Sequence, residues 1–364
     1  MTITGLWNLL GQHVSPSIVN LKKESASFLN RNKKKLCIGI DASIYLYLAL
    51  KNPKTIKELA IDFVLNHDIS NFLHSYFENL RQFLVAKCHC DIILVFDGAS
   101  HPNKTATQEA RRRASDSAKI ALKEFIGANK YSEDALDKIL KDLVRPNGPV
   151  LASVKCWADK HNVKCIGSPF EADWQLAHLF QKKAIDYVLS SDGDIIVYGA
   201  TIIKNVDFKK GTVEVFNWAH IIEFMLDQFG ESWSAIKNTD VQIFHVYSFC
   251  ALLGCDYLDA PTNFGPKTVI SKFKECWFGE VSARTRLLDD LETWGVKCNK
   301  NETSPCRGYV ARFYKALSQM LCPSIFMECT TVTASNVKID RYCRLVNFSV
   351  LNMVYLPSDL TKIG

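Results

Sequence analysis

The sequence predicts an α/β protein with a mostly parallel central sheet flanked by helices. Four short β-rich runs, Leu36–Ile40, Asp91–Phe96, Val163–Ile166 and Tyr187–Leu189, are nearly continuous in apolar residues, as strands buried on both faces are. Each is followed by a polar or Gly-containing turn, and most by a helical pattern, which is the chain order of a sheet covered on both sides. Ligands of such sheets bind outside the carboxyl ends of the strands, where the strand-to-helix loops gather. The acids in those loops therefore carry the most information.

Composition bounds the alternatives. The chain has 364 residues, 48% of them hydrophobic and 23% charged, which excludes a disordered tail, a collagen-like fibre and a membrane bundle. At roughly 150 residues per domain the length predicts about two domains with a large core. The formal charge of +6 is compatible with a polyanionic partner but does not demonstrate one. Thirteen cysteines without a CxxC pair encode neither a disulfide framework nor a zinc finger, and imply a reducing compartment. The dense cluster Cys88-His89-Cys90 runs into an apolar strand and reads as packing. No apolar stretch reaches the roughly 20 residues of a membrane span, and Met1–Leu10 lacks the charged start of a secretory signal. The expectation is a soluble, intracellular protein with no membrane partner.

Taken in order, the segments divide as residues 1–99, 100–160, 161–245, 246–283 and 284–364. In the second, Lys104–Lys123 reads as an Ala-rich basic helix, a further helix starts at Ser132, and Arg145–Pro149 closes the excursion. A basic helix by itself is equally a solvated surface. Past residue 200 the pattern becomes largely helical. Val246–Leu253 forms an apolar helix ending in Gly254-Cys255-Asp256-Tyr257, and another helix is entered at Pro266. Gly308–Leu321 is helical, and Pro323–Gly364 carries no interpretable motif.

Seven acids fall at the predicted strand ends and helix starts. Asp41 follows Leu36–Ile40, Asp97 follows Ile92–Phe96, and Asp192 and Asp194 follow Tyr187–Leu189, where an extended loop would place both on one face. Ser168-Pro169-Phe170-Glu171 has the form of a capping box with Pro at the first helical position. Within a helix Glu171 and Asp173 would lie about 200° apart, so both face one site only if the first turn is irregular. Asp256 completes the set. Any single member is ordinarily a solvated or capping residue. Several such acids sharing one sheet edge repel one another unless cations neutralise them, and oxygen ligands without His or Cys favour Mg²⁺ or Mn²⁺ over Zn²⁺. Two ions about 4 Å apart would clamp the attacking and leaving oxygens of an in-line phosphoryl displacement.

These residues also resemble a known family. Thr4-Gly5-Leu6-Trp7, Ile40-Asp41-Ala42-Ser43, Val95-Phe96-Asp97-Gly98, Pro169-Phe170-Glu171-Ala172-Asp173, Ser191-Asp192-Gly193-Asp194 and Leu253-Gly254-Cys255-Asp256-Tyr257 occur in the order and approximate spacing of the structure-specific 5′ nucleases. These are the flap endonuclease, exonuclease 1 and xeroderma-group-G relatives, the first two being most similar in spacing. The resemblance covers about residues 1–280. It implies a PIN-like nuclease core with a helical arch over 100–160 and a helix–two-turn–helix DNA-binding region over 246–283.

The resemblance further implies that all seven acids are metal ligands or hold metal-bound waters. Asp192, Asp194 and Asp256 would surround one ion and Asp41, Asp97 and Glu171 the other, with Asp173 in the set. Lys104 and Arg111 match by offset the family's basic pair, which polarises the scissile phosphate. Tyr47 matches the position where a ring stacks on a base. Asn263, Gly265 and Lys267 correspond to the loop gripping duplex phosphates, and Ala260, Pro261 and Phe264 to backbone carbonyls holding K⁺. Asn263 stands where the family has glycine, and Thr2 where relatives have glycine. The implied activity is Mg²⁺-dependent hydrolysis of DNA at a 5′ flap, nick, gap or free 5′ end, in nuclear DNA repair or replication. No sliding-clamp motif is evident. A catalytically silent nucleic-acid-binding scaffold and a metal-dependent ribonuclease are the alternatives, although a silent relative should have lost ligands.

Overall fold

The structure is a computed structural model that describes residues 3–50, 70–99, 104–127, 136, 139, 148–261, 264–277, 309–321, 324–329 and 341–347. In chain order the elements begin with α1 (Leu6–His13), β1 (Ser17–Asn20), α2 (Leu21–Asn32), β2 (Cys37–Asp41), α3 (Ala42–Leu50) and α4 (Ser70–Arg81). A π-helical turn, Gln82–Lys87, leads into β3 (Asp91–Phe96), followed by α5 (Thr105–Gly127), α6 (Gly148–Lys160), β4 (Lys164–Gly167) and α7 (Ala172–Gln181). Next come β5 (Tyr187–Leu189), α8 (Asp194–Val197), β6 (Ile202–Asp207), β7 (Thr212–Phe216), α9 (Trp218–Phe229), α10 (Glu231–Ser234) and α11 (Thr239–Leu253). The remainder is α12 (Pro266–Trp277), α13 (Tyr309–Leu321) and a hairpin of β8 (Ser324–Cys329) and β9 (Arg341–Asn347).

The chain folds as two compact units built from non-contiguous stretches. One comprises Ile18–Ser191 and Ile203–Glu214 and carries the sheet; the other comprises Met1–Ser17, Asp192–Ile202 and Val215–Gly364. The sheet has seven strands in the order β1-β7-β6-β5-β2-β3-β4. All four strands read from the sequence sit together at its centre and one edge, with β2 parallel to both β3 and β5, and β3 parallel to β4. Their side chains explain the placement: Ile38, Ile40, Leu94, Val95 and Val188 are fully buried. A strand with apolar residues on both faces is stable only when helices cover both.

The region after residue 200 departs from the sequence expectation. It contains β6 and β7, joined by only Phe208–Gly211, a link short enough to permit antiparallel pairing alone. Residues 324–347, read as carrying no motif, include the β8–β9 hairpin, whose antiparallel register shifts between Met327 and Glu328. The expected helix at Ser132 is described only at residues 136 and 139, both helical, and Arg145–Asn147 of the expected turn lie outside the described residues, whereas Gly148 and Pro149 open α6 rather than closing a turn.

Helix α7 anchors the sheet-bearing unit. Every residue from Ala172 to Leu179 is buried, so no polar stripe marks it as a surface helix. His178 lies within it, and burial, with Lys182 adding to the effect, pushes its pKa from 6.5 down to about 4. In the other unit Phe224, Phe229 and Phe273 pack around Phe249 at centroid distances of 5.8, 6.0 and 5.5 Å. Helix α9 opens there on a capping box: the Asn217 N–H donates to His220 Nδ1 at 3.1 Å, and Asn217 Oδ1 accepts from the Ala219 N–H at 3.0 Å.

His178 makes the fold acid-sensitive in a defined window. The unfolded chain binds a proton near pH 6.5 that the folded chain refuses until about pH 4, so the stability His178 contributes is present above 6.5 and lost as pH falls toward 4. Urea unfolding of the parent and of His178→Gln at pH 8 and pH 5 should show the parent losing more stability than the variant on acidification.

Candidate active site

In the sheet-bearing unit two acids stand at the carboxyl ends of the adjacent strands β2 and β3. Asp41 ends β2 and is buried; its Oδ1 accepts from the Ile44 N–H at 3.0 Å, capping α3, and its Oδ2 accepts from Ser190 Oγ, after β5, at 3.2 Å. Capping and site formation are thus compatible in one carboxylate. Asp97 follows β3 and is exposed; its N–H donates to Ser43 Oγ at 3.1 Å, and its Oδ1 accepts from the Ala172 N–H at 2.8 Å, at the start of α7.

The capping box expected at Ser168–Glu171 is not formed. Helix α7 starts at Ala172, with Glu171 as an N-cap in extended backbone (φ −95°, ψ 134°) that makes no side-chain cap bond, so Pro169 is not its first residue. Ser168 Oγ instead donates to the Phe96 and Phe170 carbonyls at 2.9 and 3.1 Å. Asp97, a residue of another strand, outcompetes the local serine for the helix N-terminus. Because Glu171 is extended, the helical angle separating it from Asp173 does not apply. Asp173 is buried in the first turn of α7.

Lys104 is buried and its Nζ lies 2.7 Å from Glu171 Oε2. An ion pair this far out of water holds together because either charge left alone would be costly. The helix bearing Arg111 is α5, though the Arg111 side chain lies outside the described residues; Arg112, Arg113, Lys119 and Lys123 on the same helix are exposed. Tyr47 on α3 is 41% exposed.

Gly98 lets the strand end and the helix start approach. A Cβ there would lie 2.0 Å from the Ser168 carbonyl oxygen and 2.5 Å from that of Pro169, and the Gly98 N–H donates to Phe170 O at 2.7 Å. Backbone atoms cannot move aside as a side chain can.

The other unit holds Asp192, Asp194 and Asp256. The Asp192–Asp194 loop is not extended as the sequence suggested: Asp192 Oδ1 accepts from the Asp194 N–H at 3.0 Å, and Asp194 begins α8. Asp194 is 1% exposed, and its Oδ1 accepts from the Ile3 N–H at 2.8 Å. Its Oδ2 is buried with no hydrogen-bond partner among the described residues. Burial first, and the Asp192 charge second, push the Asp194 carboxyl well above the usual range. Asp256 lies in the turn closed by the Cys255 N–H to Leu258 O bond of 2.8 Å. Gly254 enters that turn at φ 92°, the left-handed region, with Ala260 N only 2.8 Å from where a Cβ would stand.

The donor set suits a hard cation. Asp192 and Asp194 supply oxygen only, and the buried Oδ2 lacks a protein donor. The nearby thiols are not competitors, because burial raises Cys250 well above its usual value and Cys255 to about 12. Among the described residues, no three His, Cys, Asp or Glu side chains form a group able to enclose a metal ion. Cys88 and Cys90 are buried, with thiols raised by that burial, as the packing reading of Cys88-His89-Cys90 expects.

Of the expected duplex-gripping loop, Asn263 lies outside the described residues. Gly265 O accepts the Val269 N–H at 3.0 Å, which makes Gly265 the N-cap before Pro266, and Lys267 is exposed in the first turn of α12. Pro261 O accepts the Phe264 N–H at 3.0 Å, and Ala260 precedes it. The residues missed by the sequence reading are Ser43, Ser190, Gly98 and Ile3. The two serines and Gly98 lie beside strand-end acids, which was the available signal, whereas nothing local marks the Ile3 N–H.

A parallel-stranded sheet with acids at successive strand ends defines an acidic-site α/β core. Comparison with known families narrows this. The chain matches the XPG N-terminal domain over residues 1–118 and the XPG I-region over residues 162–256, together more than half its length, and belongs to the XPG family. Flap endonuclease 1 of Theileria parva is 26% identical over 281 residues, covering 76% of this chain and 51% of the relative. Exonuclease 1 of Drosophila melanogaster is 25% identical over 235 residues, covering 64% and 26%. The chain thus spans about half or less of the length of these curated relatives. The catalytic core of Rad2 in complex with DNA substrate aligns with a TM-score of 0.51 at 18% identity, over 89% of this chain and 86% of that one, a likeness of fold. Among the described residues no helix is long and apolar enough to cross a membrane.

Gly98→Ala should lower unfolding stability by about 1–3 kcal/mol, because an overpacked contact against main chain has little room to relax. Urea denaturation followed by circular dichroism would show the shift; an unchanged midpoint would contradict the close approach.

Proposed function

We propose that this chain is a Mg²⁺-dependent, structure-specific 5′ nuclease that hydrolyses DNA phosphodiesters near single-strand/double-strand junctions, as a 5′-flap endonuclease, a 5′→3′ exonuclease or both. The observation that carries this reading is the wholly buried Asp194, held beside Asp192 with one carboxylate oxygen lacking a protein donor. Two like charges out of water are stable together only with a compensating cation or proton. Family membership supports the same reading.

In this proposal Asp192, Asp194 and Asp256 hold one ion and Asp41, Asp97 and Glu171 the other, with Asp173 in the set; because no three of these side chains already enclose an ion among the described residues, each group would draw together on binding. Mn²⁺ can replace Mg²⁺, since the donors are oxygens. When bound, the ions supply Lewis-acid stabilisation of the attacking and leaving oxygens. The Ser190 hydroxyl and Ile44 N–H orient the Asp41 carboxylate, and the Ala172 N–H orients that of Asp97, whose own backbone N–H is held by Ser43 Oγ. Lys104 and Arg111 provide positive charge for the scissile phosphate as charge grows on it; for Lys104 this requires the ammonium to exchange Glu171 for phosphate.

Tyr47 offers an exposed ring for stacking on a base. Asn263, Gly265 and Lys267 take duplex phosphates at the start of α12, with K⁺ on the carbonyls of Ala260, Pro261 and Phe264. Residues 100–160 act as the arch, 246–283 as the helix–two-turn–helix region, and 284–364 as a C-terminal region. The substrate is duplex DNA with a 5′ flap, nick, gap or free 5′ end, and the setting is DNA repair or replication in the nucleus.

Asp192→Ala should abolish cleavage of a 5′-flap substrate in Mg²⁺ while duplex binding persists in a gel-shift assay; retained full activity would sink the assignment. Lys104→Ala should lower turnover by roughly 10²-fold or more with a smaller change in affinity. A pure binding defect would contradict its role. Side-by-side cleavage of flap, gapped, blunt, four-way-junction and RNA-flap substrates separates the activities.

A further inference from the structure

We propose that the aromatic cavity beside the π-helical turn is a docking site for an acidic segment of a partner protein that inserts one aromatic or branched apolar side chain. The cavity has a volume of about 520 Å³ and is walled by Tyr45 of α3, Tyr76 and Leu80 of α4, Phe83 of the π-helical turn and Phe208 of the β6–β7 turn, with Lys87 beside them. That volume lies within the roughly 300–1,000 Å³ of clefts that hold ligands. It lies outside the residues assigned above to metal or DNA. The inference is independent of the nuclease reading.

The walls are mainly apolar, and Lys87 is the cation that lines them. Phe208 is 46% exposed although it packs edge-on against the buried Phe83 at 5.0 Å. Lys87 Nζ donates to Phe208 O at 3.1 Å and stands 5.5 Å from the Phe83 ring centroid, which leaves its other protons for an incoming acceptor. Lys209 and Lys210 follow Phe208 and are exposed, and Lys22 and Lys87 both act on the Cys88 thiol. The acid of that turn, Asp207, already accepts the N–H groups of Lys209 and Lys210, at 3.0 Å each. Glu78, on the neighbouring helix, is bound by Arg81 and Gln82 at 2.7 and 2.6 Å. Arg81 neutralises Glu78, and Asp207, 3.8 Å from Lys210 Nζ, offsets one lysine, so Lys87 and Lys209 leave a positive excess beside the cavity.

This chemistry selects the occupant. A basic rim around an apolar pocket complements carboxylates flanking a hydrophobic anchor. Nucleic acid fits less well, because the rings meet one another edge-on or tilted, Phe83–Phe208 at 72° and Tyr45–Tyr76 at 49°, and offer no parallel slot for a base. A second copy fits least, since an isologous contact would set these lysines against themselves.

The test selects random 12-residue peptides displayed on phage against the full chain and then measures fluorescein-labelled winners by anisotropy. The expected winners combine Asp or Glu with Phe, Tyr, Trp or Leu. Phe208→Ser should weaken their binding by about tenfold, and Lys209→Glu with Lys210→Glu, which leaves the cavity wall intact, should weaken it by about fivefold at low salt. Thermal unfolding of both variants should match the parent. The proposal is overturned if no acidic peptide is enriched, if winners bind both variants as well as the parent, if a dT12 oligonucleotide shows the same sensitivity to these substitutions, or if the site is instead buried by self-association.

Discussion

Removing carboxylates from water is the constraint on which the rest of this structure depends. Asp41, Asp173, Asp192 and Asp194 are all buried, and no chain tolerates that without compensation. The folds around them are arrangements of donors: the Ile44 N–H and Ser190 hydroxyl for Asp41, the Asp194 N–H for Asp192, and the Ile3 N–H for Asp194. Where Glu171 is concerned, Lys104 provides a full charge. Asp194 Oδ2, a buried carboxylate oxygen without such a donor among the described residues, marks a place where a cation has much to gain.

The same constraint explains why structural and functional readings of these acids do not compete. Asp41 caps α3, and Asp97 holds the first N–H of α7, so each carboxylate stabilises a helix start with one oxygen while the other is held or left near the strand end. Helix N-termini bring positive partial charge to the loops where acids must gather. That lowers the cost of collecting them at one end of a parallel sheet.

Two regions of the sheet-bearing unit divide the chemistry. Its strand ends gather negative charge, whereas the turn after β6 and the π-helical turn gather lysines around an aromatic cavity. A chain with a formal charge of only +6 therefore carries strong local fields of both signs, and each can recruit a ligand of the opposite charge.

The four parallel strands were legible in the sequence because a strand buried on both faces must be apolar throughout, which is a local property of residues such as Ile38–Ile40 and Leu94–Phe96. The acids were legible because they follow those strands directly, and the basic helix after Lys104 because its charges repeat along one segment. Strands β6 and β7 were not, since an edge-side pair with mixed burial resembles polar loop until a neighbouring strand accepts its hydrogen bonds. Nor could the sequence show that Asp97, rather than Ser168, caps α7, or that Lys104 would meet Glu171, because those partners are 75 and 67 residues apart. Local pattern determined which residues carry charge and which form strands. Tertiary structure alone decided which charges share a desolvated space, because only packing brings distant donors within hydrogen-bond reach.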